Sequence, residues 1–180
     1  MAFYLHRDGE RYVDTKMGNM MLRAERLCAE TTEDIVVFAI GMRINRFWKV
    51  WKWFPVAREM PMMLKEQEAD PSIGLLSTRL MFGFRNIGVL QLWRSTEDLN
   101  AYAHSPDRLH LDAWKRFNAR IGTGGDVGIW HETYSVPKTG IESIYVNMPP
   151  YGLGAARSLF PARGARASAA KRLRRHLDDS

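Results

Sequence analysis

An α+β fold with ferredoxin-like order is predicted by three features of this 180-residue chain. Asp34–Asn45, D-I-V-V-F-A-I-G-M-R-I-N, reads as a strand that is apolar on both faces, as expected of a central strand covered on two sides. The segments after it alternate between helical and strand composition in the order β-α-β-β-α-β. The last of them, Asp126–Val136, is rich in β-branched and aromatic residues and follows a Gly-rich turn at Gly122–Gly125. That order lays two helices on one face of a four-stranded antiparallel sheet. Two helices cover one face only, so the other apolar face of Asp34–Asn45 needs a further layer. The sheet of a second copy, packed across a two-fold axis, would supply it, and the expectation is a homodimeric α+β barrel.

Three regions are expected. Residues 1–33 form an N-terminal arm with a short helix or strand, 34–156 form the ferredoxin-like domain, and 157–180 form a basic, disordered tail. Met17–Glu30 contains good helix formers with Met21, Ala24 and Cys28 at helical spacing, which suits a helix, with a short strand as the alternative. In Asp34–Asn45, alternation puts Val37, Ala39, Gly41 and Arg43 on one face and Val36, Phe38, Ile40, Met42 and Ile44 on the other. The first face narrows to small residues and ends in a cation, an arrangement that leaves volume for an anion. The plainer alternative is close packing at Gly41 with Arg43 paired to a carboxylate.

Asn45–Ala69 is helical in composition, with Pro55 starting or kinking the main helix and Pro61 as a second interruption. Val56, Met60, Met63 and Leu64 give its buried stripe. Trp48, Trp51 and Trp53 alternate with Lys49 and Lys52, and aromatic residues at this density usually line a cleft or a subunit contact. Gly74–Phe84 and Asn86–Arg94 read as a hairpin closed at Gly83–Asn86, with Ile87, Val89, Gln91 and Trp93 on one face. Ser95-Thr96-Glu97-Asp98 starts a helix that runs to about His104. Ser105-Pro106-Asp107 starts another, whose stripe carries His110, Ala113, Trp114 and Phe117. A histidine on an apolar stripe is usually a hydrogen-bonded core residue; a catalytic base or an iron ligand is the other reading. In Asp126–Val136, His131 shares a face with Val127 and Ile129, while Glu132 and Tyr134 share the opposite one. A last short strand is expected within Gly140–Met148.

The net charge of +6 raises the question of nucleic acid, but Arg157, Arg163, Arg166, Lys171, Arg172, Arg174 and Arg175 carry most of it against Asp178 and Asp179. The remainder is nearly neutral, so no nucleic acid is expected as partner. Cys28 is the single cysteine, which rules out an intrachain disulfide. The longest apolar run, Ile35–Met42, is too short to span a bilayer. The first ten residues lack the apolar core of a signal peptide, and a cytoplasmic protein is the expectation.

Gly41-Met42-Arg43-Ile44-Asn45, Gln91-Leu92-Trp93-Arg94-Ser95, His110 with Ala113-Trp114, Gly128-Ile129-Trp130-His131-Glu132-Thr133-Tyr134 and Asn147-Met148-Pro149 together resemble one family. It is the fumagillin-pathway-monooxygenase-like family, within the antibiotic-biosynthesis-monooxygenase type of dimeric α+β barrels. The resemblance covers about Asp34 to Ala156. It departs at Leu92, where the family has an aromatic residue of the pocket wall. It implies a small monooxygenase of secondary metabolism that oxidises an aromatic or polyketide-like molecule with O2 in a pocket between sheet and helices.

No flavin or metal is expected. Gly122–Gly125 lacks the spacing of a dinucleotide loop and precedes a strand rather than a helix. Such chemistry needs a base, a cation or donor for the substrate anion, and apolar walls. His110 or His131 is the candidate base, because imidazole titrates near neutrality. Arg43 with Asn45 is the candidate oxyanion site, and Trp51, Trp93, Trp114 and Tyr134 are candidate substrate contacts. Glu132 or Tyr134 is a candidate to orient a histidine, although Glu132, adjacent in the strand, points away from His131. Two alternatives stand beside this reading. One is a haem enzyme of dehydratase or haem-degrading type with His110 as axial ligand. The other is a non-catalytic dimeric binding module.

Overall fold

The structure, a computed structural model, describes residues 3–5, 11–13, 22–105 and 124–178. In chain order its strands are β1 (Phe3–Leu5), β2 (Arg11–Val13), β3 (Leu22–Ala29), β4 (Ile35–Ile44), β5 (Leu75–Phe82), β6 (Asn86–Trp93), β7 (Val127–Val136), β8 (Tyr145–Met148) and β9 (Leu159–Pro161). The described α-helices are α1 (Val50–Ala69), α2 (Thr96–His104), α3 (Leu153–Ala156) and α4 (Ala169–Asp178). None is long and apolar enough to cross a membrane. The chain divides into two units, residues 35–135 and the two flanking segments taken together.

The unit of residues 35–135 has the expected order β4-α1-β5-β6-α2-β7, and its antiparallel sheet runs β5-β6-β4-β7. The apolar strand β4 is interior, and β7, which carries two ionisable residues in mid-strand, is an edge. That placement lets His131 and Glu132 keep water. The register pairs Val36 with Trp93, Phe38 with Gln91, Ile40 with Val89 and Gly41 with Gly88.

One sheet face packs on the helices through two clusters. Val36, Trp93, Leu99 and Tyr102 form the first; Met42, Ile44 and Val127 form the second, with Trp53, Val56 and Ala57 of α1 against it. Helix α1 runs through Pro55 and Pro61, where the sequence led us to expect a start or a kink. Its packed stripe forms despite the amide donors that the prolines lack. Ser95 caps α2, its hydroxyl accepting from the Asp98 N–H at 3.1 Å. The expected helix after Ser105, with His110, Ala113, Trp114 and Phe117, lies outside the described residues.

The flanking unit departs from expectation. Of the helix or strand expected within residues 1–33, Leu22–Ala29 is the strand: β3 pairs with β2, β8 and β9 in a second, five-stranded antiparallel sheet. Its spaced apolar residues give way to Leu27, Cys28 and Ala29, all buried, and pairing on both edges overrides helix propensity. Burial, the largest influence, raises the Cys28 thiol above its ordinary pKa.

Residues 157–178 do not form a disordered tail. Strand β9 pairs with β3, and three of the tail arginines are ion-paired: Arg157 with Glu33 at 2.8 Å, Arg166 with Glu30 at 2.6 Å, and Arg172 with Glu142. Arg166 also lies over the Phe160 ring, 4.6 Å from its centroid. Its hydrogen bond to Glu30 raises its pKa further. Part of the terminus's excess charge therefore meets carboxylates that are distant in sequence.

Candidate functional site

Between the helix-covered sheet face and helices α1 and α2 lies a cleft of about 500 Å³, its open mouth included. Strand alternation supplies its floor: Phe38 and Ile40 from β4 and Val89, Gln91 and Trp93 from β6 all point to this face. Helical spacing supplies one wall, where Met60, Met63, Leu64 and Gln67 follow one another along α1. Leu99, Tyr102 and Ala103 of α2 close the other wall. The Trp93 and Tyr102 rings stand 5.7 Å apart.

The lining is apolar apart from a short polar chain. The Trp93 indole N–H donates to Gln91 Oε1 at 3.1 Å, and Gln91 Nε2 donates to Gln67 Oε1 at 2.7 Å. All three side chains are buried. At the wall the Tyr102 hydroxyl donates to Glu66 at 3.4 Å. Cofactor-independent reading of the sequence singled out Trp93 but not the glutamines. The signal was there: Gln91 and Gln67 each interrupt an otherwise apolar stripe.

His131 stands on the same sheet face, beside the cleft, with its ring 5.9 Å from that of Phe38. It is exposed. Arg43 and Asn45 are not brought to the cleft. Alternation puts Arg43 on the opposite face, exposed, with its guanidinium donating to Asn86 Oδ1 at 3.3 Å. Asn45 Nδ2 donates to the Gly125 carbonyl at 3.0 Å and so ties the end of β4 to the turn before β7.

The volume expected beside Gly41 is occupied. A Cβ at Gly41 would come within 2.9 Å of Trp130 Cζ2 and 2.8 Å of the Ile87 carbonyl, so the indole lies directly against Gly41. Glu132 and Tyr134 share that opposite face and bond to each other, the hydroxyl donating to the carboxylate at 2.8 Å. That bond raises the phenol's pKa and leaves neither group orienting His131. Arg94, a conceivable partner for Glu132, instead grips Asp98 with two bonds of 2.7 and 2.9 Å. Leu92 also points away from the cleft, paired with Val37, so the departure from the family's aromatic residue does not alter this lining.

Trp51 is 68% exposed and does not line the cleft. The helical period explains it: residues 53, 56, 57, 60, 64 and 67 face the sheet, and 51 falls on the outer side of α1. Trp53 is the inward member, its indole donating to the Phe47 carbonyl at 3.0 Å. His110 and Trp114 lie outside the described residues.

One anchor was not foreseen. Asp126 is buried where the chain enters β7 and accepts from Arg46 at 2.7 Å and from Lys49 at 2.9 and 3.0 Å. These bonds, Lys49's first, hold its pKa below the ordinary carboxylate value. Among the described residues no group of three His, Cys, Asp or Glu side chains is arranged to hold a metal ion.

Comparison with known proteins agrees with this architecture. The chain is 31% identical over 130 residues to Monooxygenase af470 of Aspergillus fumigatus, a match covering 67% of this chain and 45% of that protein. The chain thus spans about half the length of that curated relative. Two aldoxime dehydratase structures, one co-crystallised with butyraldoxime, superpose with TM-scores of 0.61 at 14% and 16% identity. They cover 82% and 84% of this chain but 42% and 45% of theirs, and the likeness is one of fold. The Monooxygenase af470-like family model matches residues 35–153, which are the ferredoxin-like unit and the start of the segment after it, and the chain belongs to that family.

Proposed function

We propose that the protein is a small monooxygenase that oxidises an aromatic or polyketide-like molecule with O2 in the cleft between sheet and helices, without flavin or metal. The observation that carries the reading is the cleft itself, in a chain of this family: an apolar, ring-lined space with a histidine beside it. Apolar walls exclude water from a reactive anion, and a base at the rim can take the proton that creates it. His131 is the described candidate for that base; His110 is the second. Trp93 is the described aromatic contact for the substrate, and Trp114 the second. The homodimer, the cytoplasmic location and a role in secondary metabolism belong to the same proposal.

Without an external reductant, the step balances only if the substrate supplies all four electrons that O2 accepts. A methylene beside an enol or phenol meets that condition: CH2 and O2 become C=O and H2O. Removal of one methylene proton leaves an electron-rich carbanion, which reacts with O2; one oxygen stays on carbon and the other leaves as water. The substrate is therefore a readily enolised or phenolic ring system with an activated methylene.

The test is O2 uptake with a panel of such compounds, anthrone included, in wild type and in His131→Ala and His110→Ala. We expect stoichiometric O2 consumption that falls at least about 100-fold in one of the two variants. Undiminished turnover in both would overturn the base assignment. A Soret band on adding haemin, lost in His110→Ala, would replace this reading with the haem enzyme.

A further inference from the structure

We infer that Gln67 is the hydrogen-bond donor for an acceptor oxygen of the cleft's ligand, a ketone carbonyl or the enolate or phenolate derived from it. The inference deepens the proposed function and rests on the cleft being a ligand site.

The direction of the polar chain is forced. An indole N–H can only donate, so the oxygen of Gln91 must face Trp93. The Gln91 amino group then faces Gln67, and the oxygen of Gln67 must receive it. Reversing either amide would set donor against donor. What remains is the amino group of Gln67, whose orientation is dictated two residues away by a ring nitrogen.

No hydrogen bond from Gln67 Nε2 is found among the described residues, although the residue is only 7% exposed. Its two N–H bonds have no protein acceptor among the described residues and keep access to solvent in the lining of an apolar cleft. A ligand oxygen that reaches this amino group exchanges its bond to water for a bond to a fixed donor between apolar walls. The two neighbouring bonds fix the amide before a ligand arrives, which suits it to charge developing on a carbonyl oxygen as a proton leaves the adjacent carbon. Arg43, which lies on the other face of the sheet, is not needed for this role.

The ligand chemistry follows. A purely hydrocarbon occupant would leave the amide unsatisfied. A cation would meet N–H donors. An aromatic ketone or phenolate satisfies both the apolar walls and the donor.

The experiment compares two probes of nearly equal shape, 1-tetralone and tetralin, by calorimetric titration of the 180-residue chain. We expect 1-tetralone to bind about tenfold more tightly, the preference of one good hydrogen bond. Gln67→Met, which keeps length and removes both donors, should abolish the preference for 1-tetralone over tetralin. Trp93→Phe keeps a ring but frees the relay, and should reduce the preference. Undiminished preference in Gln67→Met, or equal binding of both probes to wild type, would overturn the inference and leave the cleft as a ligand site. If Gln67→Met does not fold, undiminished preference in Trp93→Phe overturns it. Failure of both probes to bind would overturn the cleft reading together with this one.

Discussion

The two faces of the four-stranded sheet come from the same strands and differ in almost every respect that matters for chemistry. On the helix side, alternate residues of β4 and β6 meet α1 and α2 around a cleft where Trp93, Gln91 and Gln67 form one directed chain. On the opposite side the Trp130 indole fills the space over Gly41, and Arg43 bonds locally to Asn86 and Glu132 to Tyr134. The sequence suggested a cation-ended space on the second face. The structure puts the space on the first and a bulky ring on the second. Small residues in a strand leave room only if no neighbouring side chain enters it, and Trp130 enters.

Substitutions can break this contrast in order of size. Trp93→Ala should be the most damaging, costing about 3–5 kcal/mol in a urea titration, because it empties the most enclosed part of the floor and strands Gln91. Gly41→Ala should cost about 1–3 kcal/mol, since its methyl would meet the Ile87 backbone and the Trp130 ring together. A wild-type stability for Gly41→Ala would mean that Trp130 does not hold that face closed.

Asp126 sharpens the contrast at the sheet's end, through pH. Its pKa in the folded state lies below the ordinary value of 3.8, so the stability it contributes is fully present above that value. It is lost as pH falls through the folded pKa. Asp126→Asn should therefore be less stable at neutral pH and should flatten the acid arm of the stability profile. An unchanged acid arm would refute the role of the Arg46 and Lys49 bonds. The smallest effect is expected at Arg43→Ala, within about 0.5 kcal/mol, with probe binding in the cleft unaltered. Loss of binding there would return Arg43 to the site.

Much of the 35–135 fold was legible because its signals are local. An unbroken apolar run marked β4, alternation marked β6 and β7, Gly83 marked the hairpin and Ser95 the cap of α2. The flanking unit was less legible. Leu22–Ala29 has a pattern compatible with helix, and its strand state depends on partners at 11–13, 145–148 and 159–161. The terminal arginines read as a free basic tail because Glu30, Glu33 and Glu142 are remote in sequence. Charge complementarity across such distances has no periodic signature.

The candidate site divides in the same way. Sequence periodicity alone determined the element order, the inward stripe of α1 with Met60, Met63 and Leu64, and the separation of His131 from Glu132 onto opposite faces, because each follows from the geometry of a single helix or strand. Tertiary structure alone decided that Trp130 closes the Gly41 space, that Trp51 points outward while Trp93 forms the cleft floor, and that Gln91 meets Gln67. Those outcomes depend on which elements lie side by side. The orientation of an amide in particular is settled only by the donor it meets across the sheet and helix.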